Sequence, residues 1–82
     1  MPETLYRIGL VARLSGLTTH VIRAWERRYD AVRPRRSSGG ARLYADADVE
    51  RLCLLKRALD AGHTIGRVAQ LSTGALLRLG SP

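Results

Sequence analysis

Arg23 and Arg27 lie four residues apart, one turn of a helix, and Arg28, Arg35, Arg36 and Arg42 follow them before position 43. A guanidinium is a planar fork of fixed charge that matches two phosphate oxygens, a carboxylate, or the acceptor edge of guanine. Such residues recognise polyanions; they do not make or break bonds. The stretch from Ile22 to Tyr44, IRAWERRYDAVRPRRSSGGARLY, holds seven arginines against two carboxylates, Glu26 and Asp30. The chain has 82 residues and a formal charge of +7, and the charge is not spread evenly. Residues 23–42 carry a net +5, whereas residues 1–22 and 43–82 carry +1 each. Thirteen of the fourteen cations are arginine and only Lys56 is lysine. A genome rich in arginine codons accounts for the preference over lysine, but not for the clustering. A concentrated basic patch is the electrostatic footprint of a nucleic-acid partner.

Other chemistries have less material. His20 and His63 are far apart in the sequence, and no Cys/His spacing suggests zinc. No metal site is therefore expected. Cys53 falls among apolar residues at helical spacing, which reads as a small core residue rather than a nucleophile. As the single cysteine it has no internal disulfide partner. Asp46, Asp48 and Glu50 crowd what reads as a helix start, where carboxylates suit the helix dipole. Glu26 lies one turn from Arg23 and reads as an ion-pair partner for Arg23 or for arginines further along. With no catalytic groups left over, an enzyme is not expected. No segment reads as a signal peptide or spans a bilayer, so the expected compartment is the cytoplasm, without membrane contact.

The elements that must position these arginines can be traced along the chain. Ile8, Val11, Ala12 and Leu14 give a short helical pattern ending at Gly16. Thr18 is placed to cap a second helix over about residues 19–29. Ile22, Trp25 and Tyr29 share one face of that helix and point to the core, which makes Trp25 a packing residue rather than a base-stacking platform. The opposite arc holds His20, Arg23, Ala24 and Arg27, with Thr19 at its margin and Arg28 beside it. Pro34 stops the helix. Short extended runs at Arg35-Arg36 and Arg42-Leu43-Tyr44 flank the loop Ser37-Ser38-Gly39-Gly40, as in a β-hairpin. The hairpin is too small to stand alone and must lean on the helices, through Leu43 or Tyr44.

A long helix over residues 46–61 follows, with Val49, Leu52, Cys53, Leu55 and Leu59 inward and Gly62 at its end. Leu54 falls off that face, as a lone exposed leucine or a contact for a segment outside the chain. Arg51, Arg57, Arg67 and Arg78 read as ordinary surface charges. Thr64 and Ser72 are placed to cap two further short helices. The expected fold class is mainly α with a small β-hairpin, a winged helix-turn-helix over residues 1–79. Residues 80–82 are read as the start of a linker.

In that arrangement the second helix enters the major groove of a duplex. Arg23 and Arg27 project together into that groove, where either can take a guanine edge. Thr19 and His20, near the helix start, reach bases or phosphate. Arg35, Arg36 and Arg42 meet phosphates or the flanking minor groove, where arginine is favoured by the narrow negative field. Tyr44 either donates to a phosphate or packs inward.

YRIGLVARLSGLTTHVIRAWERRY, then Pro34, GGARLY, DVERL and AGHTIGRVAQL, in that order, resemble the N-terminal domain of MerR-family transcription regulators across residues 6–79. The RAWERRY form looks like the branch of cobalamin-dependent, light-responsive repressors of carotenoid genes. The resemblance implies binding of double-stranded operator DNA through Thr19, His20, Arg23 and Arg27, and through Arg36, Arg42 and Tyr44 of the wing. It implies no cofactor in this segment, with cobalamin belonging to a downstream effector domain. It also implies a monomeric isolated domain and an oligomeric full-length protein. Ala45 departs from the Ser or Thr usual in the family ahead of the third helix; Asp46 is the alternative cap. Rival partners for the same basic face are an acidic, DNA-mimicking antirepressor protein and, in an excisionase-like architectural role, DNA that is bent without promoter control. RNA is a weaker fit, because no exposed aromatic platform is evident.

Overall fold

Gly16 and Thr18 divide the first two helices as their chemistry requires. In the computed structural model, which describes residues 3–79, α1 spans Ile8–Ser15 and α2 spans Thr19–Tyr29. Gly16 adopts φ +75°, the left-handed conformation that costs a glycine nothing, and its N–H donates to Ala12 O. Thr18 Oγ1 accepts from the Val21 N–H at 3.1 Å, satisfying an orphan donor of α2. Beneath the turn, Ser15 Oγ donates to Val11 O at 2.8 Å, so its hydroxyl is buried with a partner.

Before α1 lies a strand that periodicity does not reveal, β1 (Leu5–Arg7). It pairs antiparallel with β3 (Arg42–Ala45), matching Leu5 with Ala45, Tyr6 with Tyr44 and Arg7 with Leu43. The other edge of β3 pairs with β2 (Arg35–Arg36), so the sheet order is β1-β3-β2 and the expected hairpin is two-thirds of a three-stranded sheet. Gly40, at φ +86°, turns the hairpin while its N–H donates to Ser37 O.

β3 runs straight into α3 (Asp46–Asp60), followed by one turn of α4 (Ile65–Val68) and by α5 (Thr73–Leu79). The start of α3 differs from expectation. Asp48, not Asp46, caps it, accepting the Ala45 N–H at 2.9 Å. The Asp46 carboxylate instead accepts the Tyr6 hydroxyl and ties β1 to α3; that bond favours the protonated phenol and raises the Tyr6 pKa. Ser72 Oγ caps α5 through the Ala75 N–H, whereas the Thr64 side chain makes no cap bond. Residues 80–82, read as the start of a linker, lie outside the described residues.

α3 packs against α1, α4, α5 and β3, and Val11, Ile22, Tyr44, Leu52, Leu55 and Val68 are fully buried around it. Because α3 is covered on two sides, Leu54 is a buried residue beside Leu76 and Leu77, not a lone exposed leucine. Cys53 is only half-buried, its thiol against Leu14 O, and Leu14 itself is 52% exposed. Tyr29 also departs from the inward face assigned to it: it is exposed and rests against Gly66 of α4.

Arg51 is the largest correction to the reading of surface charges. Its Nε donates to Ala31 O at 2.6 Å, one terminal nitrogen to Ala69 O at 2.9 Å, and the other to Thr73 Oγ1 at 3.4 Å. One side chain thus holds the exit from α2, the end of α4 and the start of α5. Hydrogen bonds to a charged group that cap otherwise unpaired carbonyls contribute strongly when one partner is removed. Arg51→Ala is expected to lower folding stability by about 2 kcal/mol in urea denaturation, whereas Arg57→Ala, on an exposed site, changes it by less than about 0.5 kcal/mol.

Candidate nucleic-acid interface

α2 buries Ile22 and Trp25 and leaves His20, Arg23, Arg27 and Arg28 exposed, with Thr19 half-buried at the margin. Among the described residues no carboxylate pairs with Arg23, Arg27 or Arg28. The turn that follows is closed by Asp30 at φ +51°, whose carboxylate accepts from Nε and a terminal nitrogen of Arg33. That exposed pairing lowers the Asp30 pKa and takes Arg33 out of the free positive charge.

Glu26 faces the wing. Its side chain is only 10% exposed and accepts from Arg42 Nε at 3.0 Å and from the Tyr44 hydroxyl. A carboxylate so buried is tolerable only with partners, and both come from β3. The wing arginine that Glu26 engages is therefore Arg42. The terminal nitrogens of Arg42 make no recorded bond within the described residues, so they remain donors for an outside anion.

Tyr44 is fully buried, with its hydroxyl turned to Glu26. It does not present that hydroxyl to a phosphate; inward packing is the alternative the structure realises. Burial, and then the hydrogen bond to the Glu26 carboxylate, push its pKa far above the ordinary phenol value. Arg35 is exposed and pairs with Glu3 at 2.5 Å, and Arg36 is exposed with a guanidinium nitrogen donating to Gly40 O at 3.1 Å across the hairpin turn. α2 and the wing thus bring Arg23, Arg27, Arg28, Arg35, Arg36 and Arg42 onto the accessible surface, while Tyr44 supports them from within.

Among the described residues no group of three or more His, Cys, Asp or Glu side chains could hold a metal ion, and no helix is long and apolar enough to cross a membrane. An apolar hollow of about 110 Å³ lies between α3 and α5, lined by Leu54, Ala58, Leu76 and His63. It is well below the roughly 300–1,000 Å³ of pockets that enclose drug-sized ligands.

The sequence model of the MerR HTH family of regulatory proteins matches residues 6–74. The chain belongs to the MerR family. Its relatives are transcriptional regulators, not enzymes. It is 48% identical over 71 residues to the HTH-type transcriptional repressor CarH of Myxococcus xanthus, covering 87% of this chain and 24% of CarH. It is 43% identical over 67 residues to the regulator MlrA of Escherichia coli, covering 82% of this chain and 28% of MlrA. The chain thus spans about a quarter of these relatives. Among solved structures, a MerR-family regulator from Bacillus cereus superposes with a TM-score of 0.74 at 20% identity, over 93% of this chain and 61% of that one. HiNmlR, a MerR-family regulator bound to promoter DNA, superposes with a TM-score of 0.69 at 21% identity, over 95% of this chain and 58% of that one. Both show the fold.

In this MerR domain the buried phenol makes a checkable contribution. Below pH 10, the ordinary tyrosine value, Tyr44 is protonated in both folded and unfolded chains, and its stabilisation is fully present. Above it the unfolded chain ionises first, so stability falls as the pH rises. Denaturant titrations between pH 9 and 11 are expected to show this decline, and Tyr44→Phe to flatten it, leaving only the share of Tyr6.

Proposed function

We propose that this domain binds double-stranded operator DNA at a bacterial promoter, as the DNA-reading part of a transcription repressor. α2 enters the major groove with Arg23 and Arg27, either of which can take a guanine edge, and with Thr19, His20 and Arg28 on bases or backbone at its sides. The wing lies along the flanking backbone or minor groove through Arg35, Arg36 and Arg42. The observation that carries this reading is the row of exposed arginines on α2, unpaired with any described carboxylate, with Arg23 lining one cleft together with Arg42 of the wing. The likeness to CarH, a transcriptional repressor, supports the sign of regulation. We place residues 1–79 as one DNA-binding unit that is monomeric by itself. Full affinity comes from a second copy on an adjacent half-site.

Fluorescence anisotropy with operator duplex tests this. With about five phosphates neutralised, the slope of log affinity against log salt is expected to be roughly −4 to −5. Arg27→Ala is expected to cost about 1–3 kcal/mol of specific binding, and Arg67→Ala, at an exposed position of α4, almost nothing. Equal losses would move the interface to another face. Arg36→Ala is expected to make the slope less steep by about one unit, and an unchanged slope would remove Arg36 from the phosphate contacts.

A further inference from the structure

We propose that the cleft between α1, α2 and the wing seats one backbone phosphate of the duplex, held by Arg7, Arg23 and Arg42. The proposal rests on the reading that the domain binds DNA, and it adds a contact outside the recognition helix and hairpin. The cleft is open, with a volume of about 470 Å³, and Arg7, Gly9, Arg23, Gly40 and Arg42 are among its lining residues. Its three guanidiniums come from three separate elements: the last residue of β1, the middle of α2 and the first residue of β3. Arg7 and Arg23 are exposed, and neither pairs with a carboxylate among the described residues.

Like charges that converge on one cavity repel each other, and an anion between them removes the cost. Among the described residues, the one carboxylate paired with any of these three arginines is Glu26. It occupies Arg42 Nε and bonds neither terminal nitrogen of that guanidinium. Glu26 thus acts as a positioning residue for Arg42 and does not neutralise the site. Two features of the floor suit a phosphodiester. Gly9 lines the cleft, and a Cβ built there meets no atom within 4 Å, so the backbone is open to a ligand. The first turn of α1 contains no acidic residue that would occupy its free N–H groups. The cleft lies between the recognition helix and the wing, where one strand of a duplex gripped by both must pass.

The test uses the domain with operator duplexes carrying single methylphosphonates, each of which removes the charge of one phosphate. Arg7→Gln is expected to reduce the salt slope by about 0.9, with thermal unfolding unchanged, whereas Arg13→Gln, an exposed arginine in the last turn of α1, leaves the slope alone. One methylphosphonate position is expected to weaken the native domain but not Arg7→Gln. Gly9→Ala fits the free fold and narrows the cleft, so it is expected to weaken binding without lowering the melting temperature. If the native domain binds with a steep slope while Arg7→Gln and Gly9→Ala both bind as it does, and no methylphosphonate separates Arg7→Gln from it, the cleft is overturned and the DNA-binding reading stands. If the native domain shows no salt-dependent binding, both fall.

Discussion

The Glu26 carboxylate joins the second helix to the wing strand. It sits on α2, nearly buried, and both of its recorded donors, Arg42 Nε and the Tyr44 hydroxyl, come from β3. A buried charge is costly unless its lone pairs are taken, so the carboxylate ties helix to strand through two directional bonds. Tyr44 completes the joint, because its ring lies in the core while its hydroxyl ends at the carboxylate. A helix that reads a groove and a finger that lies on the flanking backbone are useful only if their relative position is set before the ligand arrives. Preorganisation of this kind spares the complex the entropy of ordering them.

The structure also sorts the arginines that the sequence merely clusters. Arg33 is taken by Asp30, Arg35 by Glu3, Arg36 leans on Gly40 O, and Arg42 is half-engaged by Glu26. Arg23, Arg27 and Arg28 keep their full charge exposed. Exposed ion pairs such as Arg35 with Glu3 contribute only about 0–1 kcal/mol, so a phosphate can displace the carboxylate at little cost. These pairs hold side chains in place in the free protein without committing them. Arg42 is different, since its partner is buried and its Nε is not released as readily.

How much of this was legible in the sequence follows from how far apart the interacting residues lie. Gly16 and Thr18 mark the helix-turn-helix because caps and left-handed glycines act within a few residues. The hairpin shows for the same reason. β1 does not, because three residues carry no periodicity of their own and their partners lie about forty positions away, as Leu5 opposite Ala45 shows. Arg51 reads as a surface charge because its acceptors are backbone carbonyls and a hydroxyl from 18 to 22 residues away, which no side-chain pattern announces. Leu54 misleads because a single helical stripe describes a helix with one covered side, and α3 has two. At the interface, α2 and its exposed arc are legible from helical geometry. The inward turn of Tyr44 is not, since an aromatic residue in a strand of alternating burial can face either way until its neighbours are known. Arg7 is no more legible, because it belongs to β1, which has no periodicity of its own.

β3 ends at Ala45 and α3 begins at Asp46, with no loop between them. A flexible connection would absorb a small rotation of the finger; this one cannot. The fifteen residues of α3 make a stiff shaft about 22 Å long. A 10° tilt at its root, with the shaft rigid, swings its tip by about 4 Å. α5 packs along that shaft, so it would be displaced by the same leverage, and a load applied to α5 would be felt at the finger.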